Sequence, residues 1–302
     1  MTTRTITRTD YNIIRSTINS LLGAGTGSRG YGQALGSVAL PDPPTPVVVQ
    51  DEQWDALYFD LLNILIHQTG VIPILPNVDS GQVVRLGASY PLSSYESALT
   101  TADANRFNLA LGQSVIEGKG SQTYAVPWSN QIQATITLSF STANEARWFF
   151  NSGGKVRISS SRTGGSVSAQ NTSWTNMLTA AGVVQFGAGT SSSVNFYTLT
   201  DTYQTVALYT GSGYYLYSAN TYRIEARSNV VNNSEGTATQ VTLRLTWADN
   251  YVDLKPSLPN DQVDGEISFS VEEQRASGLL KPDGFGAFSV VGPSYTISSI
   301  TP

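Results

Sequence analysis

Four groups of residues have types and spacings that suggest chemistry. Gly154-Lys155, followed by Ser159 to Ser161 and Arg162, suggests a grip on phosphate. Gly25 to Gly30 reads G-x-G-x-x-G. His67 is the only histidine, and Asp261, Asp264 and Glu266 crowd one turn. Each group misses a requirement. A P-loop needs G-x-x-x-x-G-K-[ST], so that backbone amides wrap the phosphates and a hydroxyl reaches magnesium. Here Phe149 stands where the first glycine belongs, and Val156 follows the lysine. The dinucleotide fingerprint must follow a strand and open a helix, whereas Gly25 to Gly30 follows a helical pattern over residues 11–22.

His67 has no second histidine, G-x-S-x-G elbow or H-E-x-x-H to complete a serine or metal mechanism. Near the end of an apolar helix, it is expected to meet the last carbonyls. With no cysteine, disulfides, thiolate metal sites and thiol nucleophiles are excluded. A glycosidase needs only two carboxylates, and Asp261, Asp264 and Glu266 could also offer oxygens to calcium. They lack the D-x-[DN]-x-[DN]-G spacing of a dedicated loop, so a solvated acidic turn is expected. No catalytic residue, cofactor or metal is expected.

The aromatics offer a different kind of site. Tyr203, Tyr209, Tyr214, Tyr215, Tyr217 and Tyr222 gather within twenty residues. Exposed tyrosines on an acidic β scaffold would stack on sugar rings; buried ones would form core or subunit contacts, since a rigid ring is cheap to order. The formal charge of −5, with no Lys/Arg cluster, argues against a nucleic-acid partner. No apolar run is long enough to span a bilayer, and the first ten residues lack the apolar core of a signal peptide. Neither membrane insertion nor general secretion is expected.

These residues need elements to hold them. Only 13% of the 302 residues are charged, against roughly 25% in an ordinary domain. Such a composition suits long-lived β assemblies. Helical periodicity fills residues 1–117 and period-two alternation fills 121–302, with "EGKGSQ" expected as the hinge. The predicted fold class is α+β: a helical module, then a mainly antiparallel, sandwich-like β region. Asp10 is the expected cap of a first helix bearing Ile14, Ile18, Leu21 and Leu22, stopped by Gly23. A proline-stiffened connector follows, and residues 93–111 read as a third helix. Thr142 and Glu145 form a T-x-x-E capping box for a short helix ended by Asn151-Ser-Gly-Gly. Alternation is plainest where Ile132, Ile136, Leu138 and Phe140 share a face, and again at Val241, Leu243, Leu245 and Trp247 and at Ile267, Phe269 and Val271.

The second helix is apolar on more than one face. Trp54, Leu57, Tyr58, Leu61 and Leu65 form a stripe that Leu62 and Ile64 widen. Two helices would leave part of it bare, so these residues are expected to be an assembly surface, in a trimer or ring of copies. Residues 1–117 would attach the protein, and a chain starting at Ser121 is expected to be soluble and β-rich.

Five segments carry a resemblance: "ANEARWFFNSGGKVRISSSRTGG", "QNTSWTNMLTAAGVVQFGAG", "ANTYRIEARSN" with "VTLRLTWADNY", and "PNDQVDGEISFSVEE". In order and texture, together with the N-terminal "DYNIIRSTINSLLGAGTGSRGYGQAL", they resemble virion structural proteins of tailed phages, especially those infecting cyanobacteria. The resemblance implies a non-catalytic component of tail, neck/collar, baseplate or fibre, localised in the virion. Its partners would be its own copies and other virion proteins. A host-surface glycan-binding adhesin is the alternative.

Overall fold

The computed structural model describes residues 7–41, 49–76, 91–211, 217–251, 262–277 and 288–302. It forms two compact units that interleave in sequence. The helical unit is Met1–Val115 with Arg147–Gly154 and Arg275–Val291; the β unit is Ile116–Ala146 with Lys155–Gln274 and Gly292–Pro302.

The helical unit is built on α1 (Arg8–Leu22), α2 (Asp51–Thr69) and α3 (Pro91–Ala104). Thr7, not Asp10, is the N-cap of α1. The Asp10 amide donates to Thr7 Oγ1 and the Thr7 amide to Asp10 Oδ2, so Asp10 is the third-position member of a capping box. Its Tyr11, Ile14, Ile18, Leu21 and Leu22 are buried on one stripe. Gly70 ends α2 in the left-handed region (φ 73°), where its amide reaches the Ile66 carbonyl at 2.7 Å. Residues 60–68 of α2 are all buried, the polar Asp60, Asn63, His67 and Gln68 among them. Both α1 and α3 pack on it. The Asp60 carboxylate, also buried, accepts from the Gly36 and Ser37 amides at 2.8 and 2.9 Å.

The glycine-rich loop after α1 is packing, not a nucleotide cradle. Gly32 sits at φ 70°, and a Cβ there would fall 2.3 Å from the Trp148 ring. The indole of Trp148 donates to Ala24 O, and the Asn151 amide donates to Gly30 O. Both belong to α4 (Ala143–Asn151), whose first residues lie in the β unit and whose last lie in the helical one. The Glu145 amide donates to Thr142 Oγ1 as expected, while the Glu145 carboxylate accepts from the Ser141 amide rather than from Thr142, and the amides of Gly153 and Gly154 turn back onto Phe150 and Phe149.

The β unit holds two antiparallel sheets. One runs β1 (Ser114–Tyr124), β8 (Glu266–Ala276), β3 (Lys155–Thr163), β4 (Val183–Gly187). The other runs β5 (Gln204–Thr210), β6 (Thr221–Ser228), β7 (Gln240–Ala248), β2 (Gln131–Ser139), β9 (Ser294–Ile297). The expected hinge at 117–122 lies inside β1. Alternation places Ile132, Ile136 and Leu138 of β2 beside Trp247, Leu243 and Val241 of β7, all fully buried. Val156, Ile158, Ile267, Phe269 and Val271 supply the buried face of the other sheet. Trp247 joins the sheets: its ring lies 5.9 Å from Phe269 and its indole donates to Ser160 Oγ at 3.1 Å. Helix α5 (Ala169–Ala181), absent from the expected elements, packs on β3 and buries Trp174 against Trp128. Its signals were Ser168, which caps the Asn171 amide, and Gly182 at φ 55°.

Candidate functional site

The residues expected to form an assembly surface lie inside the helical unit. Trp54, Leu57, Leu61, Leu62, Ile64 and Leu65 are buried, and Tyr58 is half-buried beside Phe59 and Tyr95. Trp54 donates its indole N–H to the Tyr95 hydroxyl, and Tyr11 donates to the Gln53 carbonyl. The chain itself covers α2, so the inference of a trimer or ring from a bare helix loses its premise. The helical unit's exposed apolar side chains include Ile13, Val38 and Leu111, each standing singly, and one group of three. Val71 and Ile72 are 64% and 66% exposed and Ile74 is fully so, in an irregular segment just after α2. Bonds hold both of its ends: the Val71 amide donates to Thr69 Oγ1, and the Tyr95 hydroxyl donates to the Pro76 carbonyl.

The tyrosines divide between core and edge. Tyr222 is buried and stacks between Tyr209 and Trp247, with centroids 6.1 and 5.5 Å apart, because the β5–β6–β7 register sets the three opposite one another. Burial, then the neighbouring Tyr209, holds the Tyr222 hydroxyl well above its ordinary value. Tyr217 is buried against Tyr251. The half-buried Tyr203 carries Arg244 at 3.9 Å and Arg227 at 4.8 Å over its ring. Tyr214 and Tyr215 lie outside the described residues.

His67 is enclosed rather than set at the helix end as a cation. Its ring stacks on Phe288 at 4.2 Å and meets Tyr31 at 5.1 Å. Burial pushes its pKa down to about 3, opposed by a hydrogen bond with the Ser152 backbone, so the imidazole is neutral. Asp264 is more than a solvated turn residue. It accepts from the Ser166 amide and hydroxyl, the Asn171 amide side chain and Arg162 Nη2. Desolvation raises its carboxyl, but the Ser166 and Asn171 donors and the Arg162 charge outweigh it and hold the group below the usual carboxylate range. Asp261 lies outside the described residues. Among the described residues, no group of three or more His, Asp or Glu is placed to hold a metal, and no helix is long and apolar enough to cross a membrane.

One constellation escaped the sequence. On β8 the inward positions run Ile267, Phe269, Val271 and then Glu273, whose side chain is fully buried. A Cβ on Gly292 would sit 2.5 Å from its carboxylate oxygen, so the chain closes tightly over it. Lys119 of β1 brings Nζ to 3.4 Å from Glu273 Oε1 and to 2.9 Å from Glu117 Oε2. The Tyr295 ring on β9 lies 5.6 Å from the same nitrogen. Burial, then the Glu273 charge, holds the Tyr295 hydroxyl far above its ordinary range. Continuing the period-two pattern one step past Val271 would have shown a charge pointing inward.

No known protein family, curated protein or solved structure matches the chain.

Proposed function

We propose that the protein is a non-catalytic structural component of a tailed-phage virion, in its tail, neck/collar, baseplate or fibre attachment. Its helical unit docks to the particle or to sister chains, and its β unit is the body it presents. The segments that carry the phage resemblance are framework in the fold: α4 with β3, α5 with β4, β6 with β7, and β8. The observation that carries the docking role is the pinned segment of Val71, Ile72 and Ile74. It sets three apolar side chains in water close together, whereas other exposed apolar residues of the unit, such as Ile13 and Val38, stand singly. Burying a side chain of this kind stabilises a contact by about 1.5–3 kcal/mol.

The test replaces the chain in the phage with one carrying Ile72→Asp and Ile74→Asp, then probes purified particles for it. Loss from particles with the fold retained supports docking through this segment; normal copy number moves the docking surface elsewhere. Imaging a labelled chain in the virion tests the wider assignment. The glycan-binding alternative has less support, because Tyr217 and Tyr222 are buried and the Tyr203 ring is occupied by arginines.

A further inference from the structure

We propose that Lys119 and Glu273 condense into an intramolecular amide that staples β1 to β8, with Glu117 moving the protons. An ion pair alone needs one lysine and one carboxylate. Here the Lys119 ammonium sits between two carboxylates of different character. The Glu273 carboxylate is fully buried at 3.4 Å, and the Glu117 carboxylate is partly exposed at 2.9 Å. The buried one is the electrophile, because water is kept from the bond it would form. The exposed one is the base, within direct reach of the proton to be moved. Burial and the Glu273 charge keep the Tyr295 hydroxyl protonated, and its ring lies 5.6 Å from Lys119 Nζ.

The step balances. Glu117 takes a proton from the Lys119 ammonium, and the free Nζ attacks Glu273 Cδ to give a tetrahedral intermediate. Glu117 returns protons to one carboxyl oxygen, the Cδ–O bond breaks, and water leaves. Of the ammonium's three hydrogens, one stays on the amide and two depart in the water; no oxidant or reductant is required. Amide formation in water is unfavourable between free molecules. Neighbouring strands that hold the reactants together supply effective concentrations of about 10⁵–10⁸ M. Gly292, closed over the carboxylate, keeps bulk water from reversing the step. The staple would matter most for β1, an edge strand in which no residue is fully buried.

Intact mass of the full chain, measured in denaturant, tests this without depending on the fold of any variant. The expected mass is that of the sequence less one water. Trypsin should leave Lys119 uncut, in a peptide joined to the one containing Glu273. Lys119→Arg keeps the charge but should restore the full mass, and Glu117→Gln should slow the loss of water during incubation of freshly made protein. Wild-type protein that stays at full mass after prolonged incubation, with Lys119 cut normally, overturns the proposal and leaves a buried ion pair. Loss of water mapped to another pair of residues overturns it equally.

Discussion

In the helical unit, Asp60 is satisfied by two backbone amides and His67 is held neutral between Tyr31 and Phe288. In the β unit, Glu273, Asp264 and Glu225 each face a cation: Lys119, Arg162 and Arg244. The contrast follows from geometry. A helix core lined with α2's apolar side chains meets its buried polar groups with neutral partners: loop amides for Asp60, and the Tyr31 hydroxyl and Ala102 carbonyl for Gln68. Paired strands set long side chains opposite one another at fixed register, as with Glu225 and Arg244. The buried groups of one unit therefore depend on neutral partners and those of the other on paired charge, the helical unit's Arg29–Asp103 pair lying part-exposed, and the two should fail under different insults.

The harshest way to break the comparison is to cut it. A chain starting at Ser121 lacks Glu117 and Lys119, and it keeps residues 147–154 and 275–291 without the unit they belong to. We expect insoluble protein, contrary to what the change in periodicity suggests; a soluble product with a cooperative β unfolding transition would show the β unit to be autonomous. Next, Lys119→Met removes the cation that faces the buried Glu273 carboxylate and should cost about 3–5 kcal/mol in denaturant unfolding. Adding Glu273→Gln should recover most of the loss. If it does not, the pair is not what holds β1.

Leu57→Ala tests the neutral side, where opening a cavity in the α2 core should cost about 2–5 kcal/mol. A smaller loss in an unchanged fold would mean that this face of α2 is not core. Acid sharpens the contrast. The folded pKa of His67, about 3, lies below its ordinary 6.5, so between these values the unfolded chain binds a proton that the folded one refuses. Stability is therefore complete above pH 6.5 and falls as pH drops, by about 1.4 kcal/mol per pH unit. His67→Gln should flatten that slope. Asp264 contributes in a lower window: its depressed pKa gives stability that is present above the ordinary 3.8 and lost as pH falls through the folded value. An unchanged slope in His67→Gln between pH 6 and 4 would remove His67 as the cause. The smallest effect is Ile72→Asp, expected to change stability by no more than about 0.5 kcal/mol, because its side chain meets water; a large loss would place it in a core.

Some of this was legible residue by residue. The alternation at 132–138 and 241–247 needs only strand geometry, and the Thr142–Glu145 bond needs only its own turn. Those signals are local, and so they survived into the fold. Legibility failed where the partner is remote in sequence. Legibility failed locally too: Thr7, which caps α1, lies three residues before the pattern that points to Asp10. The glycines of 117–122 suggested a hinge, although strand pairing overrode their flexibility. Residues 169–181 carried a cap and a stop but little amphipathic pattern.

The sequence by itself determined the α+β class and the inward faces of the plainest strands, because 3.6- and two-residue periods are properties of neighbouring residues. Only the tertiary structure decided that α2 is covered by its own chain, that Tyr222 is core and that His67 is neutral. It alone brought Lys119, Glu117 and Glu273 together. Burial and charge pairing depend on which distant segments share a space, and here 147–154 and 275–291 join a unit that lies mostly before residue 116. No local pattern encodes that meeting.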